Sequence, residues 1–115
     1  MAGEAEPPKA ADEQKTVNAT ARSLDISLRK SIIANGDEVT SLTFREPTAA
    51  DIERVGNPVT IDPFVIPYKI TFDTKVMTQM MSVLATVPPS SIRLMHPKDW
   101  NNAAWLIADF FIPDL

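Results

Sequence analysis

His96 is the single histidine in a 115-residue chain without cysteine, so chemistry that needs an imidazole must be built around this one side chain. Ser90, Ser91 and Asp99 are the neighbours that would supply a nucleophile and an orienting acid. A Ser–His–Asp relay depends on spatial geometry, and here the residues crowd into one short connector and the start of a helix. Nothing beside them supplies an oxyanion hole. Wedged between Met95 and Pro97, His96 reads more simply as a cap or flank of the helix that follows.

The carboxylates offer no stronger case. Asp37-Glu38 belongs to a turn, and Asp51 with Glu53 decorates a short helix, Asp51 as a cap and the others as solvated charges. A metal site wants several carboxylates or imidazoles converging, which no spacing here suggests. There is no G-x-G-x-x-G, no P-loop and no glycine-rich phosphate cradle. The expectation is a protein that is not an enzyme, with no cofactor and no metal.

Bulk properties narrow the partners. The formal charge is −4, with 11 basic and 15 acidic residues spread along the chain. No basic stripe is available to neutralise phosphates, which argues against nucleic-acid binding. No apolar run approaches the ~20 residues that cross a bilayer, so no membrane partner is expected. The first residues, MAGEAEPPKAADEQKT, do not read as a secretion signal, and the lack of cysteine fits a reducing cytoplasm.

These candidates must be positioned by a small set of elements. Residues 1–22 hold three basic and four acidic side chains, Pro7, Pro8 and one branched aliphatic residue, Val17. So little apolar surface cannot offset ordering entropy, and the segment reads as a disordered arm. Residues 23–115 then form a single small α+β domain.

Leu24, Ile26 and Leu28 alternate with polar neighbours, and so do Thr40, Leu42 and Phe44 with theirs. Asn35-Gly36 between them suits the φ > 0 positions of a tight turn, so a β-hairpin spans roughly Leu24–Arg45. Thr48 and Asp51 make a capping box with Asp in place of Glu, opening a short helix that Gly56 stops. Pro58, Pro63 and Pro67 make Asn57–Tyr68 an extended loop with room for a short edge strand at Val59–Ile61. Asp73 or Thr74 caps an amphipathic helix that reaches about Val87. Ser90–Met95 is a connector, and a third helix runs from Lys98 to about Phe111. The outline is an N-terminal β-hairpin packed with two or three helices.

Binding residues are sought on the helices. Met77, Met80 and Met81 cluster on one face of the second helix; such a stripe is either core or an adaptable docking surface. On the third helix, Trp100, Ala103, Ala104, Ile107 and Phe111 form one stripe, which Leu106 and Phe110 widen. Trp105 falls among Lys98, Asn101 and Asp109, on the wet side. It is either an interface anchor or a ring packed against the arm or the proline-rich loop. With Phe110-Phe111-Ile112 it favours a partner-binding end near the C-terminus.

Leu42-Thr43-Phe44-Arg45-Glu46-Pro47-Thr48-Ala49-Ala50-Asp51-Ile52, following a strand of the type Leu24–Lys30, resembles the small tail assembly chaperones of Mu-like, contractile-tailed phages and prophages. The L-x-x-R-E-P-T-x-x-D portion carries most of the likeness. Pro88-Pro89-Ser90, Asp99 and Phe110-Phe111 agree with the same layout, and the resemblance covers roughly residues 24–112. It implies binding to apolar helical segments of the phage tape measure protein, kept soluble until tail tube subunits enclose it. It also implies a frameshifted longer form as a partner, a place in the bacterial host cytoplasm, and absence from the finished virion. The family brings no catalytic residues. The alternative is a structural tube or baseplate-associated protein that self-associates, for instance through an exposed Val39–Phe44 strand edge. A regulatory adaptor with no phage role is a third reading.

Overall fold

The computed structural model describes residues 23–113. The expected arm, 1–22, lies outside the described residues. The chain begins with the predicted hairpin, β1 (Ser23–Ala34) paired antiparallel with β2 (Asp37–Arg45). Asn35 and Gly36 both take positive φ, +54° and +84°, the turn geometry that this dipeptide accommodates. The inward residues Ile26, Ile32, Leu42 and Phe44 are buried, while Asp25, Ser27, Ser41 and Thr43 face out.

The alternation does not run cleanly through β1. Ser27 pairs with Ser41 and Ile32 with Val39, so residues 28–31 stand against Thr40 alone. Such a bulge frees backbone groups from the ladder. The amides of Arg29 and Lys30 donate instead to Asp99, at 2.9 and 3.4 Å, and the Arg29 guanidinium adds a third bond at 3.3 Å. Ser91 Oγ donates to the Ile33 carbonyl at 2.7 Å. One strand of the hairpin is thereby stitched to the helical half.

At the other end of the hairpin, α1 (Ala49–Val55) opens with the expected capping box. Thr48 Oγ1 accepts from the Asp51 amide at 3.4 Å, and the Asp51 carboxylate accepts from the Thr48 amide at 2.9 Å. Arg45, the last residue of β2, grips the same carboxylate with both guanidinium nitrogens at 2.8 and 3.0 Å. Arg54 adds a contact at 3.1 Å. Asp51 is buried, and the Arg45 bonds, backed by the Thr48 amide, hold its carboxyl far below the usual carboxylate range against the opposing pull of burial. The Arg45 guanidinium is pushed up in turn by its bond to Asp51. Gly56 closes the helix at φ +109°, where a side chain would be strained.

The short strand expected at Val59–Ile61 is present, and a partner strand that the sequence does not announce follows the loop. β3 (Val59–Asp62) and β4 (Lys69–Phe72) form a second antiparallel hairpin. The prolines bracket its strands: Pro58 precedes β3, while Pro63 and Pro67 sit in the connecting loop. No ladder position therefore lacks a donor. The Asp73 amide donates to the Pro58 carbonyl at 2.9 Å and closes the base.

α2 (Thr74–Ala85) is capped by Asp73, whose side chain accepts from the Val76 amide at 3.2 Å. It ends at Thr86 in the left-handed region, two residues short of the proline pair. The connector contains a four-residue helix, α3 (Pro89–Ile92), where the sequence indicates only a link. α4 (Pro97–Ala108) starts with Pro97 and stops earlier than the predicted Phe111. Ile26, Ile32, Leu42, Phe44, the α2 methionines, Leu84, Ile92 and Ile107 make one core cluster. The architecture is mixed α+β: a β-hairpin and four helices, joined by a second small hairpin.

Candidate partner-binding surface

The rotation of α4 decides which residues meet solvent. His96 caps it, its Nδ1 accepting the Lys98 amide at 3.1 Å. Buried Asp99 ties its first turn to the β1 bulge, and Trp100 Nε1 donates to Thr78 Oγ1 on α2 at 3.1 Å. Ala103, Ala104, Ile107 and Ala108 face inward, and the three alanines let the helix lie close. With that side pinned, Trp105 and Leu106 stand outward, Trp105 57% exposed. Leu106 is therefore a surface residue, not a widening of the buried stripe: the face that holds Ala103, Ala104 and Ile107 in the core leaves Leu106 off to its side.

Trp105 is not isolated. Its ring meets Phe72 of β4 edge-on, with centroids 4.8 Å apart and planes at 65°. The contact is with the strand that follows the proline-rich loop. Phe110 and Phe111 are half-buried, Phe111 against the core cluster, so the C-terminal aromatics present less open surface than the sequence suggests. Met77, Met80 and Met81 are fully buried. Of their two readings the structure takes the core: a domain this small has no other apolar face on α2 to cover Leu42 and Phe44.

The most open apolar residues lie elsewhere. Phe64 and Ile66, at the tip of the second hairpin, are each 93% exposed, with Val65 and Tyr68 also exposed beside them. Asp62 shapes the tip by accepting the Phe64 amide at 3.0 Å. Three apolar residues in a row, Phe64–Ile66, held between Pro63 and Pro67 are the sequence signal for this feature. Phe64, Val65 and Ile66 read there as residues able to dock on something; the structure leaves them facing solvent.

Three of the residues that invited a catalytic reading are engaged structurally. Ser91 serves β1, His96 caps α4, and Asp99 holds the bulge; none of the three hydrogen-bonds to another. Among the described residues no group of three or more His, Cys, Asp or Glu gathers to hold a metal, and no helix is long and apolar enough to cross a membrane. A groove of about 630 Å³ does open between α2, α3 and the start of α4, with Ile92, Met95 and Trp100 among its lining.

The outward apolar side chains of this small α+β fold leave open surface of the kind found at protein–protein contacts. Residues 25–112 match the family model described as phage tail assembly chaperone proteins, E, or 41 or 14, and the chain belongs to that family. The family is in general non-enzymatic and acts in tail assembly. No curated protein and no solved structure matches the chain. The Arg45–Asp51 stretch that carries the sequence resemblance is the clasp between β2 and α1.

Proposed function

We propose that this tail assembly chaperone binds apolar helical segments of the tape measure protein and keeps them soluble until tail tube subunits enclose them. The observation that carries this is the outward apolar set: Phe64 and Ile66 at the hairpin tip, with Trp105 and Leu106 on α4. A long amphipathic helix without its tube exposes stripes that aggregate, and such side chains offer them a temporary apolar partner. Separated contacts of moderate strength suit a chaperone that tube subunits must later displace, because affinity then comes from many copies along one helix. The reading places the protein in the bacterial host cytoplasm and outside the finished virion. A frameshifted longer form of the chain is a further expected partner.

The test is co-expression with the tape measure gene of the same genome and purification through a tag on this chain. A soluble, co-eluting tape measure protein is the expected result, reduced when Phe64 and Ile66 are both changed to serine. A tape measure protein that stays insoluble while this chain is folded and abundant defeats the reading.

A further inference from the structure

The groove between α2 and α4 has a chemical character of its own, separate from the exposed tip and from Trp105. Ile92 and Met95 form an apolar floor and Trp100 a half-buried wall, held upright by its indole bond to Thr78. The charged residues lining it are Lys75 on α2 and Arg93 just after α3, and no acidic side chain shares the lining. In a chain of net charge −4 that is a local reversal of sign. Neither cation forms a salt bridge among the described residues, where the salt bridges are those of Arg29, Arg45 and Arg54. Buried apolar surface flanked by two unpaired cations is complementary to an apolar side chain with carboxylates beside it.

We infer that this groove seats a helical partner segment in which a large apolar residue is flanked, one helical turn away, by Asp or Glu. The apolar anchor enters between Ile92, Met95 and Trp100, and the carboxylates meet Lys75 and Arg93. The size agrees: about 630 Å³ is ample for one or two side chains and too little to enclose a helix, so the segment lies across the mouth. Spacing matters because residues three or four apart share a helix face, and only then do anchor and carboxylate reach the groove together. The inference deepens the tape measure reading, since it gives the bound segments an acidic–apolar signature, but its chemistry does not require that particular partner.

The experiment uses the full chain with Trp105→Phe, so that Trp100 is the remaining tryptophan and reports on the groove. Two designed amphipathic helical peptides are titrated against it, one with leucines flanked by Glu, the other with Lys in place of each Glu. Saturable change in Trp100 fluorescence with the Glu peptide, at least about tenfold tighter than with the Lys peptide, is expected. Lys75→Glu with Arg93→Glu should reverse the preference; both side chains are exposed, so folding is preserved and is checked by circular dichroism. Equal binding of both peptides, or a preference unchanged in the double variant, overturns the inference. If the peptides discriminate but the tape measure protein stays insoluble in co-expression, the groove stands and the tape measure reading falls. If the tape measure protein is solubilised and the peptides do not discriminate, the reverse holds.

Discussion

The two hairpins of this protein are opposites. In β1–β2 the irregular and terminal backbone positions are closed: Asp99 takes the bulge amides, Ser91 takes the Ile33 carbonyl, and Asp51 takes Arg45 and the α1 cap. In β3–β4 the base is tied to Pro58 while the tip holds Phe64 and Ile66 out in solvent. The first hairpin uses its polar residues to hold the domain together. The second displays apolar residues that do nothing for the domain that carries them. The Arg45–Asp51 stretch, part of the sequence resemblance, belongs to the first kind.

The sharpest way to break this contrast is to cut into the closed half. Met80→Ala is expected to cost about 2–5 kcal/mol, as for other large-to-small core changes, measured by urea denaturation. A loss of partner binding with unchanged stability would instead make α2 a docking face. Asp99→Ala should follow, at about 2–4 kcal/mol, because it strands the Arg29 and Lys30 amides of the bulge. Hydrogen exchange at those two amides should quicken well beyond that in β2.

Asp51→Asn should cost about 1–3 kcal/mol through the lost charge-assisted bonds to Arg45. Its pH dependence has a definite sign. The folded carboxyl titrates below its unfolded value of ~3.9, so its contribution is fully present above that pH and is lost as the pH falls toward the folded value. Denaturation from pH 7 down to 3 should show a constant gap between wild type and Asp51→Asn that narrows only below about pH 4. A gap that narrows near neutrality would point to another group.

The open half should respond the other way. Trp105→Ala is expected to lose about 1 kcal/mol through the edge-on contact with Phe72, and to weaken partner capture more than that loss explains. Phe64→Ser should leave stability within about 0.5 kcal/mol while lowering tape measure solubility in co-expression. A clear fall in melting temperature from Phe64→Ser would mean that the tip packs on its own domain in solution.

Much of this structure was legible from nearby residues. Asn35-Gly36 specifies its turn because few other dipeptides tolerate positive φ twice in succession. Thr48 with Asp51, Gly56, Asp73 and the proline pair mark helix ends because caps act within three or four residues. His96 was legible as a cap for the same reason. The apolar stripes of α2 and α4 follow from helical period alone.

What the sequence by itself could not determine depends on residues brought together across the chain. Asp99 lies 70 residues from Arg29, and no periodicity announces that a helix carboxylate will serve a bulged strand. The fate of the methionine stripe depended on whether the hairpin would present Leu42 and Phe44 to it. The β3–β4 pairing was masked by prolines that prove to sit outside the ladder. The outward turn of Trp105 and Leu106 came from the inward stripe of α4, Trp100, Ala103, Ala104, Ile107 and Ala108, which packs into the core cluster. Local signals set where elements begin and end, since they act through backbone groups a few residues apart. Which face each element buries is decided only when the elements compete for the same core.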